Sequence, residues 1–180
     1  MRRSTLMVFA LMSLFVWTGL VGLFAPSVRA DDTLASFEGG IGVIPVSSGV
    51  GQDPTATTVN RNIVRGVQPA GQIWVIRKLE AKVTLNGDIK VEGEGLVLGG
   101  GNNAGRATGQ RVFATLICEA APPFTEHSSD IDGVPLEPNG DFTIDDVLTP
   151  PPPLDCVSPM LLIRNAANLN WFAVGILSQD

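Results

Sequence analysis

The chain has 180 residues, 12 basic and 18 acidic, for a net charge of −6 at neutral pH. That length suits one domain with a full core and is short for two, and the acidic balance argues against nucleic acid as a partner. One His, two Cys and no Tyr rule out a metal centre built from several histidines and leave few nucleophile–base pairs.

The N-terminus reads as an export signal. Arg2 and Arg3 precede an apolar run from Leu6 to Ala25, Pro26 breaks it, and Val28-Arg29-Ala30 places small or apolar residues just before Asp31. Residues 1–30 are therefore expected to be a cleaved signal peptide and residues 31–180 a single domain secreted or held outside the cytoplasm. The alternative is an uncleaved anchor, since residues 6–25 match the length of about 17–25 that a spanning helix needs. Only in that case is a membrane a partner. Losing Arg2, Arg3 and Arg29 lowers the basic count from 12 to 9 against 18 acidic residues, a balance of −9.

Beyond the leader, period-two alternation dominates, the mark of half-buried strands. Phe37–Val46 is the first strand candidate, and the Ser-, Gly-, Thr- and Pro-rich residues 47–58 read as a loop. From Ile73 to Leu85 the odd positions are apolar apart from Arg77, with Lys78, Glu80, Lys82 and Thr84 between them. Ile89 and Val91 alternate with Lys90, Glu92 and Glu94 in the next run, and Asn86-Gly87 signals a hairpin turn. Face parity requires an odd loop. Taken as Asn86–Asp88, it sets Leu85 opposite Ile89, Val83 opposite Val91 and Lys82 opposite Glu92.

Gly99–Gly109 reads as a mobile loop and residues 120–138 as a long acidic one. Gln110–Glu119, Asp141–Val147, Pro159–Arg164 and Trp171–Leu177 complete the strands, with turns at Asn139-Gly140 and Asn165–Asn170. Val112–Cys118 and Met160–Ile163 are apolar on both faces, as strands covered on both sides are. Trp74 and Trp171, with apolar neighbours, read as core or rim residues rather than a sugar platform. The fold class is all-β: an antiparallel β-sandwich, immunoglobulin-like or jelly-roll-like, or a partly closed barrel of about seven to nine strands.

Cys118 and Cys156 permit one pairing, expected as a disulfide in an exported chain. It closes a loop of 38 positions, worth about 4 kcal/mol in the chain-entropy model. Pro150–Pro153 reads as a stiff spacer of about 12 Å leading to Cys156.

Signals for chemistry are sparse. Gly100–Ala107 has the glycine spacing of a phosphate loop, but Arg106-Ala107 stand where Lys and Ser or Thr belong and no helix follows. Among the acidic residues of 126–146, Asp130, Asp132, Glu137 and Asp141 are the candidate ligands for calcium, which takes about six to eight oxygens. Ser128–Gly133 only half resembles an EF-hand loop, with Ser at its first position and Asn139 at its twelfth. Glu92, Glu94, Asp141 and Asp145 are the carboxylates available to a carboxylate-dependent extracellular hydrolase. The favoured expectation is a non-enzymatic binding, adhesive or structural module for an extracellular ligand or protein. It needs no cofactor apart from calcium in the alternative reading. Its contact surface is expected on the loops 99–109 and 120–138, with Asn102, Asn103, Arg106 and His127.

Overall fold

A computed structural model of the chain describes residues 32–48 and 59–179. The expected signal peptide and most of the loop expected at 47–58 lie outside the described residues. The strands in chain order are β1 (Thr33–Gly42), β2 (Val46–Ser48), β3 (Val59–Arg61), β4 (Trp74–Val75), β5 (Lys78–Thr84), β6 (Asp88–Glu94) and β7 (Val97–Leu98). There follow β8 (Arg111–Ile117), β9 (His127–Ser128), β10 (Val134–Pro135), β11 (Phe142–Val147), β12 (Met160–Asn165) and β13 (Trp171–Leu177).

Nine strands make one antiparallel sheet in the order β10-β8-β12-β13-β1-β5-β6-β11, with β9 also on β8. β9 and β10 lie end to end along β8. The far side of β9 meets the chain just past β11, where Ser128 N donates to Thr149 O (3.0 Å) and Thr149 N to Ser128 O (2.7 Å). The sheet therefore curls until its margins join. Of the two predicted architectures, the nearly closed barrel is the one that forms. Closure removes most of the exposed edge that an open sheet would leave. The short ribbons β2–β3 and β4–β7 stand outside the main sheet.

The β5–β6 hairpin keeps the predicted parity but not the predicted register. Val83 pairs with Ile89, Ala81 with Val91 and Leu79 with Gly93, so the loop is Leu85–Gly87 rather than Asn86–Asp88. The turn chemistry explains the shift. Gly87 has φ +88°, the left-handed conformation that closes a three-residue hairpin and that L side chains resist. Gly87 N bonds Thr84 O, and Thr84 Oγ1 bonds both Asp88 N and Asp88 Oδ2. A two-residue slip leaves every side chain on its expected face. It does change the charge pairing, for Lys82 now faces Lys90, and Glu80 faces Glu92.

The single strand expected over 73–85 is broken. Trp74 is buried while Ile73 and Val75 are exposed, so the faces swap at Ile76-Arg77 before Leu79 resumes the inward series. Arg77, out of place in the apolar row, lies at that switch. The reason is the Trp74 ring, which stacks on Phe172 at 4.0 Å and 14° and takes the interior position in place of two smaller aliphatics. Trp171 is buried as well, so both tryptophans belong to the core.

The core fills the barrel. Phe37, Leu79, Val83, Ile89, Val91 and Ile144 enter from β1, β5, β6 and β11, opposite Ala114, Leu116, Leu161 and Ala173. Gly93 makes room for the ring of its cross-strand partner Phe142, since a Cβ there would stand 2.1 Å from Phe142 Cε1. On β8 and β12 the outward residues Phe113, Thr115, Ile117, Leu162 and Arg164 are buried too. A tongue of chain, residues 61–70, reaches across this wall. Trp171 Nε1 bonds Asn62 O (3.0 Å) at one end, and Arg65 Nη1 bonds Ile117 O (2.8 Å) at the other.

Candidate functional site

The loop joining β7 to β8 is a closed structure. Leu98 N bonds Arg106 O, Gly105 N bonds Leu98 O, and Ala104 N and Arg106 N bond Gly101 O and Asn103 O. Ala107 is buried and plugs its base. The loop expected to be mobile is thus held by four backbone hydrogen bonds. Leu136 N bonds Gln110 O, which brings the end of the acidic loop alongside. Between the two loops lies a groove of about 530 Å³, lined by Asn103, Arg106, Thr108, Leu136 and Pro138 among others. Two of the four predicted contact residues, Asn103 and Arg106, therefore share one recess. Asn102 is exposed on the same loop.

His127 does not join them. It is 4% exposed. Its Nδ1 pairs with Pro150 O (2.8 Å) and its Nε2 has no hydrogen-bond partner among the described residues. Pairing across from Leu116 turns it toward the interior at the barrel seam. The expectation of a surface histidine is corrected: β9 is needed to close the barrel, and closing it buries the ring.

The four calcium candidates fall into two turns. Asp130 Oδ1 accepts Asp132 N (3.0 Å), and Asp130 N donates to Asp146 Oδ2 (2.7 Å). Asp141 accepts Gly95 N (2.9 Å) and Asn139 Nδ2 (2.7 Å), while Gly140 N bonds Glu137 O. The Asp130, Asp141 and Asp146 carboxylates fasten the loop backbone, as Asx turns do. Among the described residues, no three His, Cys, Asp or Glu side chains are placed to hold a metal ion together.

Three of the four hydrolase candidates come together, and Asp145 stands apart. Glu92, Glu94 and Asp141 line an open groove of about 530 Å³ beside Glu137. Asp145 lies opposite Lys90. Arg77 Nη2 bonds Glu94 Oε2 at 3.0 Å and stands 3.9 Å from Asp141 Oδ1, so these two carboxylates share a cation. The face nearby carries Lys78–Glu80 (2.8 Å) and Lys90–Glu92 (2.9 Å) ion pairs within single strands. The hydrogen bond from Lys90 holds the Glu92 carboxyl below its ordinary value.

Two well-anchored cations, the buried Arg164 and the half-buried Arg65, were not legible as site residues. Arg164 is buried on β12, donating from Nη1 to Glu126 Oε2 (2.6 Å) and Thr115 Oγ1 (3.3 Å) and from Nε to Leu169 O (2.8 Å). Its only sequence signal is a charge directly after the apolar run Leu161–Ile163. Arg65 holds Ile117 O, Ser158 O and Ser158 Oγ, and burial lowers its pKa. Cys118 and Cys156 form the predicted disulfide, with Cα atoms 4.7 Å apart. Compared with known proteins, the chain matches no family model, no curated protein and no solved structure.

Proposed function

We propose that the chain is an exported, non-enzymatic binding module that meets an extracellular ligand or protein through the loops of a disulfide-bonded barrel. The observation that carries this reading is the Cys118–Cys156 cross-link, because structural disulfides form and persist in oxidising compartments. The signal-like residues 1–30 support the same compartment. The groove between the β7–β8 loop and Leu136–Pro138 supports a contact surface there, since rigid β scaffolds place binding residues on loops. Arg106 gives that groove a cation and Asn103 an adaptable donor and acceptor, which suits a ligand rich in oxygen acceptors.

Intact mass after alkylation without reduction tests the compartment. The expected chain begins at Asp31, carries no alkyl group and is recovered outside the cytoplasm. Two alkylated cysteines in a cytoplasmic fraction overturn the reading. For the groove, labelled protein applied to immobilised polysaccharides and matrix proteins should score on one class, and Arg106→Glu should weaken that signal about tenfold. Uniform background, or a signal untouched by the substitution, removes the groove from the proposal.

A further inference from the structure

A strand face in water is ordinarily polar, as the outer faces of β5 and β6 are with Lys78, Glu80, Lys90 and Glu92. Around the far end of β1 it is aliphatic instead. Gly40 and Gly175 pair across β1 and β13, and a Cβ on either would enter the core. That of Gly40 would stand 3.0 Å from Leu79, and that of Gly175 3.2 Å from Phe37 and 3.3 Å from Leu161. The next residues along each strand therefore point outward. These are Ile41, Val174 opposite it, and Ile176 on the far side of Gly175.

The β4–β7 ribbon presents the same kind of face. Trp74 and its partner Leu98 are buried, so Val75 and its partner Val97 turn outward together, with Ile73 two residues back. A Cβ on Gly99 would lie 2.8 Å from Ile73 Cγ2 and 3.0 Å from Val75 Cγ1, so these two side chains meet over one point. The two surfaces adjoin. Gly42, next to Ile41, packs so closely on β4 that a Cβ there would stand 2.7 Å from Val75 Cα. One outward band thus crosses β13, β1, β4 and β7, with Ile41 59% exposed, Ile176 46%, Val75 45% and Ile73 43%. None of its six aliphatic positions is ionisable.

Four large aliphatics about half in water bring the band into the range of roughly 300–600 Å² at which an apolar patch often marks an association site. Charge chooses the occupant. The chain is at −6, so two copies repel unless they meet where no carboxylate lies. In a two-fold contact each residue near the axis also meets its own copy, and any charge there would face its like. An uncharged band satisfies both conditions. Composition agrees, since homodimer interfaces are more apolar than those between unlike partners, which use complementary charge for specificity. Area sets the strength. A standard interface takes about 800 Å² from each partner, so a band of this size gives a micromolar dimer and not a nanomolar one.

We propose that the outward band of β1, β13, β4 and β7 is a two-fold dimer interface, occupied by the same band of a second copy of this chain. The dimer is independent of what the β7–β8 groove binds.

Sedimentation equilibrium of the chain recovered from its own host should show monomer and dimer exchanging with a Kd of about 10–100 µM. Ile41→Lys or Val75→Asp sets like charges face to face and should weaken the dimer at least about tenfold. Both positions point outward, so Tm at concentrations where the parent is monomeric should stay within about 2 °C. If either variant melts lower, Ile41→Thr, which keeps the branched Cβ, takes its place. Added salt should tighten the dimer by screening the repulsion between acidic copies. Benzoylphenylalanine at Ile73 should give a photoadduct of twice the chain's mass, and the same probe at Lys82 none. A monomer at every concentration up to about 1 mM, or a dimer that ignores both substitutions or loosens in salt, overturns the interface. So does an adduct only with lipid or another protein, or a dimer adduct as strong at Lys82.

Discussion

The barrel has two unlike walls. On the first, formed by β1, β5, β6 and β11, side chains alternate between the core and water, and the outer face carries Glu38, Glu80, Lys82, Lys90, Glu92 and Asp145. On the second, β8 and β12 bury both faces, because the tongue of residues 61–70 and the segment bearing Phe124 and Glu126 lie over them. The comparison separates two sources of stability. The covered wall is held by packing and by buried polar groups with partners, where each missing atom is felt. The open wall is held by its inner face alone. Its outer charges are not consistently paired by sign: Glu38 stands beside Glu80 beside Glu92 and Lys82 beside Lys90, against the opposite-sign pairs Lys78–Glu94 and Lys90–Asp145, so pairing across the strands did not choose the register. The turn at Gly87 and the inner aliphatics did.

The sharpest contrast should come from Phe113→Ala, which empties a buried site beneath Arg164 on the covered wall. A loss of about 3–5 kcal/mol by urea titration is expected, and a loss under 1 kcal/mol would mean that the outer cover does not pack. Next is the cross-link beside that wall. Cys118→Ala with Cys156→Ala should cost about 2–4 kcal/mol, read as a fall in Tm that reductant reproduces in the parent chain.

Gly87→Ala tests the open wall's turn. With φ +88° and Pro152 Cδ 3.1 Å from the added Cβ, about 1–2 kcal/mol should be lost. The charge rows give a smaller effect of opposite sign. Lys82→Glu places an opposite charge before Lys90 and should be neutral or stabilising by about 0.5 kcal/mol. Under the register with Lys82 facing Glu92 it would destabilise instead, so the sign alone tells the two registers apart. The smallest effect concerns Glu119. The Thr125 backbone N–H holds its carboxyl below the ordinary value of 4.5. A depressed folded value means stability that is present above pH 4.5 and lost as pH falls through the folded value. Tm should therefore decline slightly faster below that pH in the parent than in Glu119→Gln.

Much of this contrast was legible in the residues. Strict alternation over Lys78–Thr84 and Asp88–Glu94 announced strands with one wet face, while the runs Val112–Cys118 and Met160–Ile163, apolar on both faces, announced strands covered twice. The hairpin loop was misplaced because Asn86-Gly87 marks a turn without fixing which three residues form it. The residues expected to form a contact surface are only partly brought together. Asn103 and Arg106 share a groove, whereas His127, with polar neighbours in sequence, is drawn inside by barrel closure.

The sequence by itself determined strand content, the inward face of most strands and the single possible cysteine pairing, since each depends on local period or on counting. Tertiary structure alone decided that the sheet closes through Ser128 and Thr149 and that the tongue of 61–70 covers one wall. It also decided the face swap that buries Trp74 and the exposure of Leu154 and Val157. These are matters of which distant surfaces meet. Burial is settled by the whole set of contacts, and no short window of residues carries it.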